Sequence, residues 1–274
     1  MYRSVIVMMS ALVVATSLPI ETVRAADTGT GGVVDGVIFA GVQTSTTMPT
    51  QGTSSTYVWR KLVTHDAGIG RTGNISKIVN GIRYLLYERI GPNSRDLVWV
   101  AQTNPRQLAQ RAAITVRSRL ARPKISMAPS PDAGVVNSSS WLWIDPALWV
   151  PVSAFAWIPG DSGPIWARTT ATPVSITFTT QDDGSSSGSK KGSVTCHGPG
   201  RPWQPSMGDE ARSGCSYTYR HSSVSRPNGA FDATIDVQWR ISWTSNTGGG
   251  GSLPVERTTT QMSVRVDELQ ALVD

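Results

Sequence analysis

Two cysteines and three histidines are all that 274 residues contain, and this scarcity removes several kinds of chemistry. A structural zinc site takes four ligands at set spacings, and Cys196 and Cys215 have only His197 and His221 near them, at spacings that fit none. A disulfide-dense framework is equally excluded. The two cysteines are expected to pair with each other in an oxidising compartment. A closed loop of about 20 residues contributes roughly 3 kcal/mol on the chain-entropy account, whose mechanism is disputed. The one G-x-S-x-G match, Gly184 to Gly188, falls inside the Gly/Ser-rich stretch "DDGSSSGSKKG", which reads as a loop rather than a strand-to-helix turn, so it does not make the nucleophile elbow of a serine hydrolase. No cofactor is expected.

Long apolar runs are missing beyond the N-terminus, where "MYRSVIVMMSALVVATSLPIETVRAAD" carries Arg3, an apolar run from Val5 to Leu18 and the small-residue pattern Val23-Arg24-Ala25. That combination predicts a secretory signal peptide over residues 1–25. The run is short for a membrane span, and an uncleaved anchor is the alternative. No cysteine follows it to carry a lipid.

The chain carries 25 basic and 19 acidic residues, a net charge of +6. Removal of residues 1–25 takes away Arg3, Glu21 and Arg24 and leaves a weakly basic protein. Along the sequence these charges look dispersed, with neither a basic stripe nor a reading motif of the kind that nucleic-acid binding wants. A mild attraction to acidic wall polymers or anionic lipid headgroups is the most that this balance supports.

Residues 26–56 are rich in Gly, Thr and Ser and read as a flexible or irregular leader. A small α+β region is expected over 57–130. In it "YVWRKLV" can be a strand, and "GIRYLLYERI" and "RDLVWVAQ" a hairpin joined by "GPNS". The helix expected at about 105–120 has Asn104 to cap it and Pro105 at its first position. Leu108, Ala109, Ala112, Ala113, Val116 and Leu120 recur at helical spacing, and Pro123 stops it. "APSPDAGVVNSSS" marks a boundary.

The clearest pattern is "AFDATIDVQWRISWTS". Phe231, Ala233, Ile235, Val237, Trp239, Ile241 and Trp243 alternate with a polar set, a period of two that a strand satisfies and a helix does not. Trp239 should therefore be core and Arg240 exposed. "TPVSITFTT" alternates as well, with Val174, Ile176 and Phe178 on one face. Short strands joined by Gly, Ser and Pro turns predict a β-sandwich over residues 140–274, which makes the chain mainly β with one helix.

"CSYTYRHSSVSRPNGAFDATIDVQW" resembles the second half of a PKD-type domain, an immunoglobulin-like sandwich. Thr218 and Tyr219 match its Thr-Tyr pair, and Gly229 with Phe231 matches its strand entry. Phe178 and "QDDG" echo the first half, with Gln181 where the family places a glycine. More broadly, "WLWIDPALW", "VTCHGPGRPW", the segment around Cys215, the Gly-rich loop and "VDELQAL" resemble an actinobacterial group of exported proteins of unassigned function. The resemblance covers about residues 99–274. It implies a secreted or surface-associated factor with a helix before a PKD-like sandwich, and carries no catalytic residues.

Five of the ten tryptophans fall between Trp141 and Trp166. Trp141, Trp143, Trp149, Trp157, Trp166 and Trp203 are the candidates for a binding face, since exposed aromatics stack on sugars or anchor partners. The bland alternative is core filling. Trp141 and Trp143 share one face of a strand whose other face holds Leu142 and Ile144, so the strand is either central or covered on its second side by something else, most economically the helix and hairpin. Asp182 and Asp183 are weak candidates for a metal ion, because they lack the full spacing of a calcium loop and a turn explains them. Asp232 and Asp236 lie about 13 Å apart along one strand, beyond the roughly 5 to 9.5 Å of a glycosidase pair.

The reading is a secreted, noncatalytic, envelope-associated protein that acts by binding or assembly, with an envelope protein or wall polymer as partner. A carbohydrate-binding module comes second and a secreted hydrolase third. Intact mass of the protein from its host tests the first step: the chain should begin at Ala26, and retention of residues 1–25 would show an anchor instead.

Overall fold

The computed structural model describes residues 33–34, 37–38, 58–66, 71–182, 192–207 and 211–268. Residues 1–25, read from the sequence as a signal peptide, most of residues 26–56, Asp183 with the Gly/Ser-rich stretch after it, and the last six residues lie outside the described residues.

Two short strands, β1 (Val33–Val34) and β2 (Val37–Ile38), pair with each other. An antiparallel sheet follows, made of β3 (Val58–Lys61), β6 (Ser76–Val79), β7 (Ile82–Ile90) and β8 (Arg95–Ala101), with the hairpin β4 (Val63–Asp66) and β5 (Arg71–Asn74) interposed in sequence. In it β7 is central, with β3 and β6 sharing one of its edges and β8 on the other. The β7–β8 hairpin and its "GPNS" turn are those read from the sequence.

Helix α1 (Pro105–Arg119) begins where Asn104 accepts from the backbone N–H of Gln107 at 2.9 Å, while the Gln107 side chain accepts from the backbone N–H of Asn104 at 3.1 Å. This reciprocal cap satisfies two N–H groups that the first turn leaves without partners. Its inward residues are Leu108, Ala109, Ala112, Ala113 and Val116, as the spacing predicted.

The rest of the chain is β. It comprises β9 (Ile125–Ala128), β10 (Gly134–Val135), β11 (Ser139–Ile144), β12 (Val152–Ile158), β13 (Ile165–Thr180), β14 (Gly192–His197), β15 (Ser216–Thr218), β16 (Phe231–Ser245), β17 (Gly250–Val264) and β18 (Val266–Asp267). The long sheet runs β12-β13-β16-β17, and β14 pairs with the second half of β13. A smaller sheet runs β15-β11-β9. The stretch 128–140, expected to separate two parts of the chain, contains β10, which pairs in parallel with β18. The structure is thus mainly β with mixed strand pairing and one α-helix, in agreement with the sequence.

One face of the long sheet holds the core. Every odd residue of β16 from Phe231 to Trp243 is buried, and the pattern does not slip once in thirteen positions. Its neighbours give way instead. β13 inserts Val174 between Pro173, opposite Trp239, and Ser175, opposite Gln238. β17 places Pro254 and Val255 against the single Arg240. Each is a β-bulge, which bends a strand and increases its twist. The bulge in β13 also corrects the expectation for Val174: it is half-buried in the irregularity, while Ile176 and Phe178 point into the core.

Two covers lie on the long sheet. Over one end α1 packs against β12 and β13. Ala109, Ala112 and Ala113 of the helix and Ala154, Ala156, Ala167 and Ala171 of the strands are all buried. Small side chains on both sides allow close approach, and Thr169 Oγ1 donates to the Ala109 carbonyl at 2.8 Å. Over the other end lies the smaller sheet: Phe178 meets Tyr217 at 5.5 Å between ring centroids, and Tyr219 stacks on Phe231 at 5.8 Å. The Cys196–Cys215 disulfide joins β14 to the residue preceding β15, so it ties the two sheets together.

Trp239 is 4% exposed and its indole N–H donates to Thr258 at 3.0 Å, whereas Arg240 is exposed. Trp239→Ala is expected to cost about 3 to 5 kcal/mol and Arg240→Ala within about 0.5 kcal/mol. Urea unfolding of the two variants measures both; a more destabilised arginine variant would refute the register.

Candidate functional site

The six candidate tryptophans do not form one surface. Trp141 on β11 is 6% exposed. Trp143, Trp149, Trp157 and Trp166 are half-buried, and Trp149 and Trp157 pack against the core. Trp157 meets Trp59 edge-on at 6.1 Å, and Trp166 meets Phe155 at 5.7 Å. Trp203, in the loop after β14, is 41% exposed. β11 is the central strand of its sheet, between β15 and β9, one of the two placements its apolar faces allowed. The helix expected to cover it packs on β12 and β13 instead.

Asp182 is a hydrogen-bonding centre. Its Oδ2 accepts from the backbone N–H of Arg220 at 2.8 Å and from the Tyr217 hydroxyl at 3.2 Å; its Oδ1 accepts from the backbone N–H of His221 at 3.1 Å and lies 2.9 Å from His221 Nδ1. Both oxygens are committed to protein partners. The carboxylate therefore pins the end of β13 to the turn after β15. No three His, Cys, Asp or Glu side chains gather among the described residues as a metal site would require. Gly192 serves the same arrangement, since a Cβ there would stand 1.8 Å from the Tyr217 hydroxyl.

The surface that sequence reasoning missed lies on the N-terminal sheet. β6 and β7 are joined by Asn80 (φ 51°) and Gly81 (φ 77°), a two-residue turn with both residues left-handed, as type I′ hairpins need. The Asn-Gly dipeptide between apolar residues was the available signal. Val79 lies opposite Ile82, Ile78 opposite Arg83, and Lys77 opposite Tyr84. The three aliphatic side chains at this end are exposed, Ile78 by 72%. Lys77 Nζ lies over the Trp99 ring at 4.5 Å and near that of Tyr84 at 5.8 Å.

Positive charge is concentrated along residues 67–131 of the chain, which corrects the impression of dispersal. Between residues 67 and 131 the only carboxylates are Glu88 and Asp96. Glu88 is paired with Arg60 and Arg95, and Asp96 with Arg89 at 2.9 Å. Helix α1 exposes Arg106, Arg111 and Arg119 beside Ile114, and Arg117 reaches Glu256 on β17. No protein-family model matches the chain, and no curated protein or solved structure proves similar to it.

The arrangement therefore offers a cationic and aliphatic surface on the N-terminal sheet, and a carboxylate-centred clasp at the far end of the long sheet. In the clasp, burial pushes the hydroxyls of Tyr217 and Tyr219 well above the ordinary tyrosine range; for Tyr217 the Asp182 carboxylate adds to the rise. The unfolded chain releases these protons first, at about pH 10, so stability should be intact below that pH and fall as pH rises through it. Tyr217→Phe should lose roughly 1 kcal/mol at neutral pH with the hydrogen bond to Asp182, and its alkaline loss should be shallower than that of the native protein. Urea unfolding at pH 7 and at stepped alkaline pH measures both effects; an equally steep alkaline loss in the variant would count against the assignment.

Proposed function

We propose that the chain is an exported, noncatalytic protein of the cell envelope that works by binding or assembly, and that its C-terminal half is a PKD-like, immunoglobulin-like β-sandwich. The observation that carries the binding reading is the chemistry of the exposed apolar surface. Of the twelve large hydrophobic residues exposed among the described residues, eleven are aliphatic and only Trp203 is aromatic. Sugar recognition by stacking needs aromatic faces. Exposed aliphatic groups serve contact with protein or lipid, so this reading stands ahead of a carbohydrate-binding module. Val58, Val63, Ile78, Val79, Ile82 and Leu97 all belong to the N-terminal β-structure.

Two features support the remaining parts. A disulfide such as the one from β14 to the residue before β15 is kept closed in an oxidising compartment, in keeping with export. The ring contacts of Tyr217 and Tyr219 with Phe178 and Phe231 lie between the two sheets, as the inner faces of a sandwich would arrange them.

Retention on fractionated envelope provides the test. The protein should be held by an envelope fraction containing protein and membrane, and should pass through insoluble wall polysaccharide. Retention by polysaccharide that Trp203→Ala abolishes would favour the carbohydrate reading, and no retention by any fraction would defeat both. Titration under denaturing, nonreducing conditions should find no thiols in protein taken from the host.

A further inference from the structure

The β6–β7 hairpin carries its apolar residues in a way that a flat protein partner does not require. Directly opposed residues of an antiparallel pair point to the same face and successive pairs to opposite faces. Val79 and Ile82 therefore occupy one face of the hairpin end, and Ile78 the other. All three are exposed. A docking strand would present one apolar face to its partner and one polar face to water, but this end is aliphatic on both. Such a tip suits immersion in an apolar medium.

The next residues along the hairpin are cationic and aromatic. Arg83 stands opposite Ile78, and Lys77 opposite Tyr84, with the Lys77 ammonium over Trp99. From Ala67 to Tyr87 the sequence has Arg71, Lys77 and Arg83 and no carboxylate. The nearest acid on the same strand is Glu88, six residues and roughly 20 Å from Ile82, and it is already paired with two arginines. An aliphatic tip flanked by basic residues, Tyr and Trp matches the groups that meet the boundary between a bilayer's hydrocarbon and its headgroup layer. Lysine and arginine there can lay their stems along the apolar tip and hold their charges among phosphates.

From this juxtaposition we propose that the β6–β7 hairpin inserts its tip into the surface of an anionic lipid bilayer, with Ile78, Val79 and Ile82 below the headgroups and Lys77 and Arg83 among their phosphates. This rests on the reading of the protein as an envelope-binding factor and names the lipid surface as its site of attachment. The turn suits the task, since the Asn80–Gly81 backbone holds a narrow end without bulky side chains.

The test is flotation of the protein, purified from its host, with vesicles of phosphatidylglycerol and phosphatidylcholine in equal parts, and separately with phosphatidylcholine alone. Every variant is compared in the same N-terminal form as the native protein, so any contribution of residues 1–25 is common to all. Native protein should bind the anionic vesicles at least about tenfold more tightly than the neutral ones. Each basic residue near an anionic surface contributes roughly fivefold, so Lys77→Gln with Arg83→Gln should weaken binding about 25-fold and flatten its salt dependence. Ile78→Ser with Ile82→Ser should weaken binding at least about tenfold while leaving the urea midpoint unchanged, because both side chains are exposed. Val224→Ser, exposed on a distant loop, should change nothing.

Equal binding by native protein and the isoleucine double variant would overturn the proposal, as would equal affinity for neutral and anionic vesicles. Envelope retention without vesicle binding, lost in the same isoleucine variant, would reassign the tip to a protein partner and leave the binding reading standing. Absence of both would remove the two together.

Discussion

Burial of one unbroken apolar stripe governs this molecule. β16 places seven apolar side chains on a single face over fifteen residues, which in extended backbone is a length of about 50 Å. A fifteen-residue helix such as α1 reaches only about 22 Å. No single cover of that size can keep water from the whole stripe. The fold uses two in series, α1 over the end near Ile241 and Trp243 and the smaller sheet over the end near Phe231. The flanking strands adapt to the central one: β13 and β17 each bulge beside Trp239 and Arg240, near the middle of the stripe. At the same level the outer neighbour of β13 changes from β12 to β14.

Cohesion differs at the two ends. Around α1 it comes from close approach, with alanines on both surfaces and one side-chain hydrogen bond into the helix backbone. Around Phe231 it comes from aromatic contacts, the disulfide and the Asp182 carboxylate, each fixing the smaller sheet to the larger. Asp182 accepts two backbone N–H groups and a phenol in a buried place, so its carboxylate organises the turn after β15. Outside this interior, the N-terminal sheet exposes Ile78, Val79 and Ile82 next to Lys77 and Arg83.

What the sequence revealed follows from how local each signal is. The parity of β16 and the spacing and caps of α1 are written in neighbouring residues, and both were legible. The disulfide was legible because only two cysteines exist. Val174 was misplaced because a bulge is a property of two strands in register, and its partner near Trp239 lies more than sixty residues away. A turn was the favoured reading of Asp182, with metal binding only a weak candidate; its partners, the backbone groups of Arg220 and His221, leave no mark in the side-chain sequence. The β6–β7 hairpin was hidden for another reason: apolar residues on both faces of its tip erase the alternation that identifies a strand, although Asn80-Gly81 stood there as a turn signal.

The bulge at Pro254 and Val255 also bears on what the outer edge of the long sheet offers to another chain. β17 pairs with β16 on one side, and no other described strand lies along its outer edge. Such an edge presents a row of peptide groups to which another chain could add. Pro254 has no N–H to offer, and the bulge beside it breaks the straight run into unequal lengths, with the Gly250–Leu253 segment on one side. The irregularity that fits β17 to its curved neighbour thus also denies a continuous template to a second molecule.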